Sequence, residues 1–154
     1  MTGFDPRNPD WEARIRDSFS RQPAMALIGA RLGRLAPGDV EVELPIRHDV
    51  TQQHGFVHGG VVAMVADSAA GYAAFSLMPA DCTLLSVEFK LNFLAPGRGA
   101  TMIARGQVIK PGRSLSIVEV DVACIDGSGV RTACARMLQT LMALPGRPDT
   151  PQPG

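Results

Sequence analysis

The 154-residue chain is short of several things, and each shortage argues against a class of protein. It has no surplus of charge: 15 Lys and Arg meet 15 Asp and Glu, with no acidic or basic block. The electrostatic footprint of a nucleic-acid or lipid-surface binder is therefore missing. Cysteine is scarce and odd in number. Cys82, Cys124 and Cys134 lack metal-ligand spacing and read as buried apolar thiols, which argues against zinc. The opening stretch, MTGFDPRNPDWEARIRD, carries charge where a secretory signal needs an apolar run, so a cytoplasmic location is expected. Aromatic residues are few, at 5%, so the core has to be aliphatic. The length suits one domain, and no internal repeat divides it.

What the chain does have is one long apolar stretch, HGGVVAMVADSAAGYAAFSLM, at residues 58–78. It reads as a helix whose only formal charge is Asp67. A helix apolar all round is either enclosed by protein or placed in a membrane. The many small residues, Asp67, Ser68 and the lack of flanking Lys/Arg clusters favour enclosure by a sheet. Its start then offers free backbone N–H groups in a Gly-Gly turn. A carboxylate in such a helix is costly unless it has a partner or a task.

Ahead of this helix, Asn8-Pro9 reads as an N-cap followed by Pro at the first helical position. Trp11, Ile15 and Phe19 recur every four residues, which predicts a short outer helix ending before Pro23. Residues 30–35 suit a short strand closed by the turn Ala36-Pro37-Gly38-Asp39. Val40, Val42, Leu44 and Ile46 then alternate with polar Asp39, Glu41 and Glu43, as in a half-buried strand. Residues 47–57 read as a polar loop.

After the helix everything reads as strand: residues 83–94, 100–110, 114–125 and 130–144. They are divided by Ala95-Pro96-Gly97, Pro111-Gly112 and the hairpin signal Asp126-Gly127-Ser128-Gly129. The pattern predicts an α+β fold: a long central helix wrapped by a curved antiparallel sheet of five or six strands. The strands after the helix are expected to be joined by short turns. The boundaries expected are an N-terminal segment with its short helix at 1–24, the wrapped-helix domain at 25–144, and a disordered tail at 145–154.

The segment HGFVHGGVVAMVADSAAGYAA, with SVEFKLNFLAPG and KPGRSLS downstream, resembles the hotdog-fold acyl-CoA thioesterases of the PaaI (phenylacetic acid degradation) type. The likeness spans residues 25–143. It implies hydrolysis of an aryl- or medium-chain acyl-CoA to free acid and coenzyme A, by homodimers or homotetramers with shared sites and no cofactor. Carried over residue by residue, Gly59 matches the glycine whose N–H holds the thioester carbonyl, and Asp67 matches the catalytic carboxylate. Gln52 stands where Asn is common in PaaI-like enzymes, with Gln in some aryl-CoA relatives. Ser86 aligns with a serine near the attacking water. Lys110, Gly112 and Arg113 match a turn that contacts coenzyme A. His58, Gly60 and Phe93 complete the expected substrate-binding set.

The residues themselves suit this chemistry. Gly59 at a helix start offers an unpaired N–H and a positive dipole end, with no Cβ in the way. On spacing alone, Gly59-Gly60 equally well makes a tight turn into the helix. Asp67 suits either a general base on water or a nucleophile forming an anhydride; a buried Asp held for structure is the plain alternative. His58 is expected to orient its neighbours as a hydrogen-bond donor rather than act as the base. Lys110 and Arg113 could meet phosphates, or be an ordinary solvated turn. Two rival functions fit the same fold: an acyl-thioester dehydratase or hydratase, and a non-catalytic acyl-CoA-binding protein. The hydratase-type Asp-x-x-x-x-His spacing is absent, and so is a basic recognition helix of the kind a DNA-binding sensor carries. No metal, nucleic acid or membrane partner is expected.

Overall fold

The structure is a computed structural model that describes residues 3–150. Two short helices, α1 (Trp11–Ser20) and α2 (Pro23–Ile28), lead into strands β1 (Arg31–Ala36) and β2 (Asp39–Pro45). A 3-10 turn at His48–Val50 precedes the long helix α3 (Gly59–Phe75). Four strands follow: β3 (Cys82–Phe93), β4 (Thr101–Lys110), β5 (Leu115–Ile125) and β6 (Arg131–Pro145). All six form one antiparallel sheet in the order β1-β2-β4-β5-β6-β3. The expected fold class, a central helix against a curved antiparallel sheet, is the one observed, with six strands.

The alternation of small aliphatics builds this packing. Val40, Val42 and Leu44 on β2, Met102 and Ala104 on β4, and Val118, Val120 and Val122 on β5 point inward and are buried. Val62, Val65, Ala66, Ala69, Ala70 and Ala73 of α3, spaced three or four apart, meet them. Small residues let the helix lie close to the sheet. At Gly106 of β4 an added Cβ would stand 2.5 Å from the carbonyl oxygen of Ala69, so only glycine fits.

The helix is not covered all round, as its composition led us to expect. Met64 is exposed, and Ala63, Asp67, Ser68 and Gly71 are half-buried. This open flank lies toward β3, whose Leu85, Val87, Phe89 and Phe93 are exposed as well. The sequence reading implied a run of neighbouring strands after the helix. Instead β3 pairs with β6, at the sheet's far edge, and residues 94–100 carry the chain across to β4.

Four local readings are corrected. Helix α1 begins at Trp11 with Asp10 as its N-cap, because Asn8 is used in the preceding turn: its Oδ1 accepts from the Asp10 N–H at 3.1 Å. Ile15 is the fully buried residue of α1; Trp11 and Phe19 pack against the core only partly buried. Pro23 does not merely stop a helix; it occupies the first turn of α2, which ends on Gly29 in the left-handed region at φ 73°. Helix α3 ends at Phe75 rather than Met78, and Ser76, Leu77 and Met78 are buried in the turn that follows. Asp39, expected on a solvated face, is 4% exposed because Arg34 and Arg105 lie over it. Burial pushes its carboxyl up, but hydrogen bonds from Arg105 and Arg34 outweigh this and hold it below the usual range.

At the C-terminal end, β6 runs one residue past the expected domain limit at Leu144. Asp149 accepts hydrogen bonds from Arg21 and Thr83, each at 3.1 Å. Residues 151–154 of the expected tail lie outside the described residues. No helix among the described residues is long and apolar enough to cross a membrane.

Gly106→Ala is expected to destabilise the fold by about 1–3 kcal/mol, the usual cost of overpacking. Urea unfolding measures it. A midpoint equal to wild type would mean that the helix does not sit on the sheet this closely.

Candidate active site

The start of α3 is built by His58, whose extended backbone makes it the N-cap. Its Nδ1 accepts a hydrogen bond from the Gly60 N–H at 2.9 Å. His58 thus accepts through Nδ1, which leaves its Nε2 to carry the ring proton as a donor, and the Gly60 N–H is engaged rather than free for a substrate. The neighbouring Gly59 N–H has no partner among the described residues, as befits a first-turn group. The ring of Phe93 lies over it; an added Cβ on Gly59 would sit 3.0 Å from Phe93 Cζ.

Gln52 reaches the same place through a tight loop. Its backbone N–H donates to Phe56 O and its carbonyl accepts from Gly55 N, both at 2.8 Å. Its side-chain oxygen accepts from the His54 N–H, which turns the amide NH2 into the available donor. Val50 and Val57 anchor this loop in the core, so residues 47–57 are less polar in their packing than in their composition. Gln52, Gly59, Phe56, Phe93 and Cys134 line one cavity of about 470 Å³. The sulfurs of Cys134 and Cys124 lie 3.6 Å apart as buried free thiols.

Asp67 sits in a different cavity, of about 220 Å³, shared with Ser86, Tyr72 and Gly71. Its Oδ1 accepts from the Ser86 hydroxyl at 2.6 Å and from the Gln139 amide. The Gln139 amide also donates to Ser86 Oγ at 2.8 Å. Two donors therefore occupy one carboxylate oxygen and leave Oδ2 without a partner among the described residues. Gln139 is 1% exposed, and its Oε1 is buried with no hydrogen bond among the described residues. Flipping the amide would press Oε1 against the carboxylate, so the donor must face Asp67.

Gln139 is the residue the sequence reading missed. The signal was there: Ala135, Met137, Gln139 and Leu141 share the inward row of β6, and Gln139 is its only polar member.

Gly112 and Arg113 line a third cavity, of about 230 Å³, with Phe4, Leu77 and Met78. Lys110 is exposed beside it. This turn lies by the C-terminal end of α3. Within one chain, then, the expected site residues fall into three separate groups. Among the described residues no cluster of three or more His, Cys, Asp or Glu stands ready for a metal.

Comparison with known proteins agrees with the fold. Residues 54–130 match the thioesterase superfamily. A thioesterase family protein from Silicibacter pomeroyi, of solved structure, is 48% identical; the two superpose with a TM-score of 0.86 over 88% of this chain and 99% of that one. The PaaI protein of the E. coli phenylacetic acid degradation operon shares the fold at 17% identity, with a TM-score of 0.79 over 92% and 98% of the two chains. The 1,4-dihydroxy-2-naphthoyl-CoA hydrolase of Listeria monocytogenes is 27% identical over 95 residues, 62% of this chain and 77% of that protein. The chain belongs to the thioesterase superfamily. It is a thioester hydrolase with the hotdog architecture.

Gln139→Met, close in shape but without donors, is expected to lower kcat roughly 10- to 100-fold with KM little changed. That is the worth of a hydrogen bond to a charged group, converted to rate. Steady-state kinetics beside a thermal melt tests this. Wild-type kcat in a normally folded variant would make Gln139 a packing residue only.

Proposed function

We propose that the protein hydrolyses an aryl- or medium-chain acyl-CoA, in the manner of PaaI-like thioesterases, at a site shared between two copies of the chain. The observation that carries this reading is the pair of half-sites on α3. One half is an unpaired N–H at the helix start, Gly59, with the Gln52 amide beside it. The other is a carboxylate, Asp67, held on one oxygen only.

The thioester carbonyl binds at the Gly59 N–H, where the helix dipole favours the negative charge that develops as the carbon turns tetrahedral. The Gln52 amide donates to the same region. Phe93 forms an apolar wall beside the carbonyl. Asp67 then delivers the nucleophile: with Oδ1 occupied by Ser86 and Gln139, Oδ2 faces the reaction. It either removes a proton from water or attacks the carbon itself. Ser86, whose proton is turned to Asp67, keeps a lone pair for the attacking water. No metal or organic cofactor has a step here. Lys110 and Arg113, cations at the Gly112 turn, meet the phosphates of coenzyme A.

Distance requires the second chain. Asp67 lies eight residues after Gly59, about 12 Å along the helix and about 80° around it. A carbonyl hydrogen-bonded to Gly59 sits about 3 Å from its nitrogen. A second α3 running antiparallel along the open flank brings its own Asp67 level with this Gly59. The exposed outer edge of β3 supports the same dimer, since an unpaired strand with apolar Leu85, Val87 and Phe89 invites another strand. A homotetramer would pair two such dimers.

Asp67→Asn is expected to melt like wild type while kcat falls roughly 100- to 10,000-fold, the worth of general-base catalysis. The assay is release of free coenzyme A across a panel of acyl-CoAs. A folded variant that keeps a tenth of the activity, or a wild type that turns over none of the panel, would refute the reading.

A further inference from the structure

The cavity at Asp67 runs on along α3, away from Gly59. Asp67, Ser68, Gly71, Tyr72 and Phe75 form its helical wall, a set spaced to share one face. Residues 83–86 of β3 form the opposite wall. The far end is closed by three side chains from elsewhere: Ser18 of α1, Gln22 before α2, and Asp149 beyond β6.

This end wall is bonded shut. The Tyr72 hydroxyl accepts from Gln22 Nε2 at 2.7 Å and lies 3.2 Å from Ser18 Oγ. Asp149 accepts from Thr83 Oγ1 on one oxygen and from Arg21 on the other. Burial pushes the Asp149 carboxyl up, but hydrogen bonds from Ser18, Thr83 and Arg21 outweigh it and keep it below the usual range, so the latch stays charged. Ser18, Gln22 and Asp149 all fall outside residues 54–130. The wall thus joins side chains from both flanking segments to Tyr72 and Thr83 of the matched region.

Size gives the wall a consequence. An apolar cavity of about 150 Å³ accepts a benzene ring. At about 220 Å³ this one has the volume for a compact acyl group, which would lie against Phe75, Leu84 and Leu85 in an otherwise mostly polar lining, and a long chain would run into Asp149. Resting on the function proposed above, we infer that Asp149, latched by Thr83 and Arg21, is a specificity-determining residue that limits the length of the acyl group. The Ser18–Tyr72–Gln22 network forms the rest of the stop.

The test is kcat/KM for straight-chain acyl-CoAs of increasing length, with benzoyl- and phenylacetyl-CoA alongside, in the full-length protein. Asp149→Ala and Thr83→Val each break the latch. Each is expected to raise the ratio of long-chain to short-chain kcat/KM roughly tenfold, the effect of admitting about two more methylenes. Gly71→Ala works the other way. Its Cβ would meet only Leu84 Cδ1, at 3.9 Å, so it fits the fold but narrows the chamber and shifts preference to shorter chains. An unchanged length profile in the folded latch variants overturns the inference while leaving the thioesterase reading intact. Should one latch variant fail to fold, the other and Gly71→Ala decide it by the same ratio. A wild type that releases no coenzyme A from any substrate overturns both.

Discussion

An apolar helix of 17 residues with a single charge needs cover on every side, and one sheet covers only part of it. That shortfall organises the molecule. The six strands bury the face made by Val62, Val65, Ala66, Ala69 and Ala73. They leave Met64, Asp67 and Ser68 along a flank next to the unpaired edge of β3. The flank is apolar enough to call for a partner and carries the one carboxylate that chemistry would need.

The two halves of the proposed site sit at different heights on α3, and each depends on a different property of a helix. An oxyanion donor needs unpaired N–H groups, which only the first turn has. A carboxylate at that height would compete with the oxyanion for the same N–H groups and dipole. Asp67 is placed mid-helix, where β3 and β6 supply Ser86 and Gln139 to hold it. A rigid helix then keeps the halves about 12 Å apart in one chain. In the dimer proposed here, antiparallel pairing would turn that fixed separation into two equivalent sites.

Much of this was legible in the sequence. The row Val118, Val120, Val122 names its own buried face, and the long apolar run names its helix. Strand order was not legible, since alternation reports which face is buried and not which neighbour is bonded; β3 therefore looked adjacent to β4. Helix α2 was hidden by Pro23, which stops one helix and starts another with the same fixed φ. Asp39 looked solvated because Arg34 and Arg105 reach it from β1 and β4, across the sheet. Gln139 stands 72 residues from Asp67, and only folding brings them together. The motif residues Gln52, Gly59 and Asp67 could be named from the chain. Their division between two separate cavities could be anticipated only from helix geometry.

Complementation tests the shared site most directly. Asp67→Ala chains and Gln52→Ala chains are unfolded, mixed in equal amounts and refolded together. With random pairing, half of the dimers are mixed, and each mixed dimer has one intact site and one doubly damaged site. The account predicts that about a quarter of wild-type activity returns. A mixture no more active than the two variants refolded separately would contradict it.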